Sequence, residues 1–207
     1  DDQGNKYPVT VQNGHAIIVA PTASSAVTHT LKKAKRSKLN IKKDNSENRL
    51  DVTLGNELFT AFHYQDERVK PILWPLYADG EAPISRDWPM GEKNKTGDHP
   101  HHESFYTAYG DINDADFWQF GNRKAYQTPQ TVTYSNHAAY STIESNNLWH
   151  KEDNTPVVDE HRVYTFYNTP SEYRIFDVST TLTATYGEAK FVDTKEGGMT
   201  TVRMNDD

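Results

Sequence analysis

Three of the chain's nine histidines fall within Asp98-His99-Pro100-His101-His102, a segment that also supplies a carboxylate. An imidazole titrates near neutral pH and so suits general acid or base work, and in its neutral form it ligates metal ions. Read as extended chain, the segment sends His99 and His101 to one side and His102 to the other, so two rings can converge on one substrate atom or one metal. The plainer alternative is a hydrogen-bonded turn in which Asp98 caps backbone groups and the rings only pack. A metal held by His99 and His101 needs a third protein ligand, for which His63, His137, His150, Glu160 and His161 are the candidates. The spacing lacks the helical pattern of the familiar zinc hydrolases.

Cations and aromatic residues flank the histidines in sequence. Lys70 precedes Trp74, and Arg86 precedes Trp88. Sugars present apolar ring faces and hydroxyl edges, and uronates add an anion, so a tryptophan beside a cation makes a substrate-binding set. The alternative places Trp74 and Trp88 in the core and pairs Arg86 with a carboxylate. Downstream lie Tyr106, Asp111, Asn113 and Trp118. Tyr106 serves as a proton donor if a neighbouring cation lowers its pKa. Glu160, Arg162 and Tyr164 alternate along one run and therefore share a face, either as a salt-bridged sheet surface or as a substrate-binding one. Glu196-Gly197-Gly198 is a weaker candidate still, whose plainer reading is that the glycines only shape a bend.

The elements that must position these residues are strands. Short runs of alternating apolar and polar residues occupy Tyr7 to Gln12, His15 to Ala20, Arg49 to Leu54 and Glu57 to His63. Asn13-Gly14 and Gly55-Asn56 sit between pairs of them as hairpin turns. Thr131 to Ile143, Val157 to Tyr167 and Tyr173 to Tyr186 are longer and rich in Thr, Tyr and Val. From Pro71 to Asn122 the periodicity fails, and irregular segments on a sheet scaffold are where binding concentrates. With little helical signal and no internal repeat, the expectation is one all-β domain over 1–207, a twisted antiparallel β-sandwich.

Composition bounds the function. The chain has 207 residues, and its 12 Tyr, 8 Phe and 4 Trp supply the large apolar surfaces that a disordered chain lacks. A formal charge of −7 argues against a nucleic-acid partner. The densest basic stretch, Lys32 to Lys43, carries no interleaved aromatic residue and reads as a solvated edge or connector. No apolar run approaches the length needed to cross a bilayer. The chain lacks cysteine and begins at Asp1; a removed leader would fit a periplasmic or secreted protein.

Lys70-Pro71, Ser85-Arg86, the histidine block, Gly110-Asp111-Ile112-Asn113, Asp116-Phe117-Trp118, Glu160-His161-Arg162-Val163-Tyr164, Arg174-Ile175-Phe176-Asp177 and Lys195-Glu196-Gly197-Gly198 together resemble the methane oxygenase PmoA-like family, from about Glu57 onward. The resemblance implies a galactose mutarotase-like β-sandwich, found among glycan-degrading systems and linked to sugar lyase or dehydratase chemistry. It also implies that the last strands of the family pattern are missing here. Glu103 stands where relatives often have Arg. The methane label itself is set aside, because genuine methane monooxygenase subunits span membranes with helices. The expected function is therefore β-elimination on an acidic oligosaccharide, with His101 or His102 as base, Arg86 or Arg162 neutralising the carboxylate and Tyr106 as acid. Lys70, Trp74, Trp88, Trp118, Glu160 and Arg162 are expected to bind substrate. No cofactor is required in that reading. The alternatives are a glycoside hydrolase, with or without a divalent metal on His99 and His101, and a non-catalytic glycan-binding module.

Overall fold

In a computed structural model of the chain, residues 4–22, 25–32, 37–65, 68–78, 82–87, 99–119, 124–170, 172–196 and 199–205 are described. Among them are twelve strands and no helix. β1 (Val9–Gln12) and β2 (His15–Ile18) form a separate hairpin. A six-stranded sheet comprises β3 (Leu39–Asp44), β4 (Arg49–Leu54), β5 (Glu57–His63), β6 (Ile72–Leu73), β7 (Phe105–Thr107) and β12 (Thr200–Val202), ordered β12-β7-β6-β5-β4-β3. A four-stranded sheet, ordered β11-β10-β9-β8, comprises β8 (Ala125–Asn136), β9 (Tyr140–Lys151), β10 (Pro156–Tyr167) and β11 (Phe176–Thr183). All strand pairs in these sheets are antiparallel.

The two larger sheets pack as a β-sandwich. Leu39, Ile41, Leu50, Val52, Phe62, Leu73 and Phe105 from one meet Ile143, Tyr164 and Phe166 from the other in one buried cluster. Phe166 meets Phe59 edge to face at 5.5 Å and stacks with Phe176 at 5.6 Å, both favourable aromatic geometries. A second cluster, with Ile112, Phe117, Ala125, Trp149 and Val158, continues the core along the sandwich.

The runs Arg49 to Leu54 and Glu57 to His63 coincide end to end with β4 and β5; β4 alternates in burial, whereas β5 is buried on both faces from Phe59 onward. Asn13 and Gly14 turn the first hairpin with φ of 50° and 77°, the paired positive values of a tight hairpin turn. The run Thr131 to Ile143 was expected as one strand and is two: it breaks at 137–139, where the His137 amide bonds the Tyr140 carbonyl at 2.9 Å and β8 folds back into β9. Part of the basic stretch, Leu39 to Lys43, lies in β3, an edge of the six-stranded sheet; Leu39 and Ile41 point inward while Lys42 and Lys43 are exposed. Edge lysines are a recognised guard against further strand pairing. Lys33, Lys35 and Arg36 lie outside the described residues.

One buried polar assembly joins the layers, and it overturns an expectation. Glu160, Arg162 and Tyr164 share a face of β10, but that face is inside the sandwich: they are 1%, 0% and 0% exposed. Arg162 donates through Nε and Nη2 to the two oxygens of Glu160 at 2.7 and 2.8 Å, and through Nη2 to Gln127 Oε1 at 3.0 Å. Glu160 Oε2 also accepts from Asn147 and Trp149 at 2.9 and 2.8 Å. Gln127 in turn donates to the Thr107 carbonyl of β7 at 2.8 Å, tying sheet to sheet. Buried charges persist when paired and hydrogen-bonded in this way. Glu160 and Arg162 are therefore interlayer structure, sealed from substrate, and Arg162 is not a neutraliser of a sugar carboxylate.

Breaking one side of this pair strands the other. Glu160→Gln is expected to lower unfolding free energy by about 3–5 kcal/mol in urea denaturation, whereas Glu160→Met with Arg162→Met recovers most of the loss. A single variant as stable as the parent would show that the pair is not interior.

Candidate functional site

The histidine segment is a turn and not extended chain. The His102 amide bonds the His99 carbonyl at 2.9 Å, which places Pro100 at the second position, the one its fixed φ favours. His99 and Ser104 adopt φ of 46° and 61°, values sparse for residues other than glycine, and they bracket the bend. Closing the turn stacks the His99 and His102 rings at 4.8 Å and 22°, with His101 edge-on to His102 at 4.5 Å and to His99 at 5.6 Å. The expected split of the three rings to two sides is thereby corrected: all three form one cluster. Asp98 lies outside the described residues, as do Trp88, Gly197 and Gly198.

Two buried cations hold the turn by its backbone. Arg86 Nη2 donates to the carbonyls of His99 and His102 at 2.5 and 3.0 Å, and Lys70 Nζ donates to the carbonyl of His101 at 3.0 Å. Lys70 also bonds the Trp118 carbonyl at 3.3 Å and sits 4.4 Å above the Tyr106 ring. Glu103 lies beneath the turn, 3.2 Å from Arg68 and 3.9 Å from Lys70, so its carboxylate balances charge inside the protein. Burial, opposed by Glu103 and assisted by Arg68, brings the Lys70 ammonium down to about 8, still charged at neutral pH. Arg86 was expected to neutralise a substrate carboxylate and Lys70 to bind substrate. At 1% and 0% exposure, and committed to main-chain carbonyls, both instead build the turn.

The imidazoles themselves are less buried than these cations: His99 is exposed and His101 and His102 are half-buried. Burial, then Lys70 and His99, holds His101 down at about 4, with the Glu196 carboxylate pulling the other way. Burial, then His101, His99 and Arg203, does the same to His102. Both rings are thus neutral, and competent as bases, at neutral pH.

Tyr106 stands behind His102, with ring centroids 6.4 Å apart, on the face of β7 opposite Phe105. It is fully buried, and burial with the nearby Glu103 raises its hydroxyl far above the usual phenol range. Arg86 and Arg203 pull it down as a neighbouring cation should, but burial and Glu103 outweigh them, and Tyr106 is removed as the acid. Trp118, 6% exposed, packs edge-on to His102 at 5.8 Å, and half-buried Trp74 packs beside it over Ile72 and Tyr106. Both tryptophans shape the floor of the site rather than stack on a ligand from outside.

Among the described residues no set of three His, Cys, Asp or Glu side chains is arranged to hold a metal ion. The third-ligand candidates lie elsewhere: His63 bonds the Trp74 carbonyl at 2.9 Å, His150 and His137 bond Thr128 and Ser135, and His161 faces Glu144 at 3.8 Å.

Two residues that sequence reasoning did not assign join the histidines. Glu196 accepts from Gln119 Nε2 at 3.0 Å, next to Trp118, and acts on His101. Arg203, half-buried, acts on His102; its amide bonds the Ser104 carbonyl at 2.7 Å and its carbonyl accepts from the Arg86 amide at 3.0 Å. A separate hollow of about 850 Å³, with Lys6, Tyr7, His29 and Lys32 in its walls, adjoins Ala138 in the turn between β8 and β9 and is lined by none of the candidate site residues.

Residues 49–207 match the protein family described as "Family of unknown function (DUF6807)". No curated protein and no solved structure matches the chain. The match replaces the methane oxygenase PmoA-like resemblance, which is thereby corrected; the β-sandwich it implied stands on the strands themselves. No helix of the described residues is long and apolar enough to cross a membrane.

The electrostatic arrangement is testable by titration. Nuclear magnetic resonance of the imidazoles is expected to place the His101 and His102 midpoints near pH 4. Lys70→Met should move His101 upward towards the ordinary histidine value. Because the folded-state values lie below the unfolded ones, these groups favour the fold fully above about pH 6.5 and progressively less as pH falls towards 4. A His101 midpoint near 6.5 in the parent protein would contradict the arrangement.

Proposed function

Because the chain belongs to the DUF6807 family, whose function is unknown, the reading rests on the site itself, and we propose a carbohydrate-active lyase or dehydratase that acts on uronate-containing oligosaccharides by β-elimination. The observation that carries this reading is a neutral, base-competent imidazole set in a positive local field. The charges that act on Lys70, His101 and His102, with Lys70 itself, are Arg68, Lys70, Arg86 and Arg203 against Glu103, Asp116 and Glu196, a net charge of +1 in a chain whose formal charge is −7. Such a field draws an anionic group to the turn.

In this reading Arg203 meets the uronate carboxylate and, by neutralising it, acidifies the proton on C5. His101 takes that proton while the C4–O bond breaks and the C4=C5 double bond forms. The imidazolium then returns the proton to the departing oxygen. A ring whose pKa is held near 4 is a reluctant base but a strong acid once protonated. One residue thus carries both transfers, and the sealed Tyr106 is not needed.

A glycan-binding module without turnover is the second reading. It is favoured by the commitment of Lys70, Arg86 and Tyr106 to structure, which leaves few groups for chemistry.

Incubation with uronate-containing oligosaccharides is expected to produce the ultraviolet absorbance of an unsaturated uronate. kcat/KM should rise as pH increases through about 4 and level off towards neutrality. His101→Ala should lower kcat by roughly 10²- to 10⁴-fold. Binding without absorbance would support the module instead, and silence across a broad panel of uronates, in both turnover and binding, would sink both readings.

A further inference from the structure

Residues 188–196 form a strap along residues 110–119 before the chain enters β12. Asn113 exchanges hydrogen bonds with Glu188 and Lys190, and the Val192 amide bonds the Asp111 carbonyl at 3.1 Å. Further on, the Ala108 amide bonds the Met199 carbonyl at 2.9 Å. Seven steps therefore separate Val192 from Met199 where three separate Ala108 from Asp111, so the strap carries surplus chain at this point, including Lys195 and Glu196. Surplus residues leave a ladder and re-aim their side chains. The Thr194 side chain seats against Gly110, where a Cβ would lie 2.8 Å from Thr194 Oγ1, so a larger residue at 110 would push Thr194 aside. Beyond that seat the Glu196 side chain, 14% exposed, reaches Gln119, while Lys195 extends into solvent at 82%.

An ionised carboxylate accepts about four hydrogen bonds. Gln119 supplies one at 3.0 Å, and the Lys195 ammonium lies 3.6 Å away. The proton transfers assigned to His101 make no use of Glu196. The geometry points to a hydroxyl-reading subsite, in which Glu196 and the Gln119 carboxamide bind adjacent hydroxyls of the sugar whose carboxylate faces Arg203. The assignment rests on the uronate reading of the histidine site and adds to it a division of labour: the strap reads the neutral edge of the sugar and Arg203 reads its charge. A hydrogen bond from a neutral hydroxyl to a buried charged acceptor is worth enough to change affinity by about tenfold to a hundredfold.

Calorimetric titration with a galacturonate trisaccharide and with its methyl ester separates the two recognitions. Glu196→Ala is expected to weaken binding of acid and ester alike by about tenfold or more, and Glu196→Gln by less, whereas Arg203→Ala weakens the acid alone. Gly110→Ala, which displaces the strap without touching any binding group, should behave like Glu196→Ala. A purely structural Glu196 would lower the unfolding temperature while leaving both affinities intact. Unchanged affinity for both ligands in folded Glu196→Gln and Gly110→Ala, or failure of the parent protein to bind either ligand, overturns the subsite. If the parent binds both but never eliminates, and Glu196→Ala still weakens both, the subsite stands and the elimination chemistry falls.

Discussion

Charge held by main-chain carbonyls is the interaction on which the site depends. Arg86 and Lys70 are almost wholly removed from water, and between them they bond the carbonyls of all three histidines. A buried cation without partners is expensive, so these carbonyls cannot be given up while the protein stays folded. The turn is fixed by its backbone as a result, and its three rings form one group, with His99 exposed and His101 and His102 half-buried. Burial is what chiefly keeps the rings unprotonated, and the cations add to it: Lys70 at His101, and Arg203 and Arg86, behind the neighbouring imidazoles, at His102.

The same criterion sorts the remaining charged residues. Glu160 and Arg162 satisfy each other and are further bonded by Asn147, Trp149 and Gln127, which leaves them to hold sheet against sheet. Glu103 is absorbed by Arg68 and Lys70. Glu196 and Arg203 differ in position: they follow the histidines by some ninety to a hundred residues in sequence, they are only half-buried, and they act on His101 and His102. Residues that look alike in sequence, an acid and a base a few positions apart, therefore divide into framework and site by where the strands carry them.

Much of the fold was legible in the residues. Alternation located β4, β5, β10 and β11, and Asn13-Gly14 gave the first hairpin. The unbroken polar and aromatic run around 131–143 hid a turn because His137, Ala138 and Ala139 carry none of the usual glycine or proline signals. The face of Glu160 and Arg162 was decidable in principle, since they alternate in phase with Val158, Tyr164 and Phe166, all inward. At the site, Pro100 already announced a turn where extended chain was expected. Glu196 and Arg203 were beyond local pattern. Their approach to residues 99–119 follows from the register of β12 on β7 and from the seat of Thr194 on Gly110, which only the assembled sheet reveals.

The pairing of Thr201 with Tyr106 joins positions 95 residues apart in sequence. Contacts of such long range form late, because the loop they close must first be ordered by other contacts. During synthesis the histidine turn and its cations emerge long before the strap, so the sandwich core can consolidate while the turn still lacks its acidic and guanidinium neighbours. The site is therefore completed when β12 docks on β7, and any ligand that bridges the turn and the strap would hold that late contact in place.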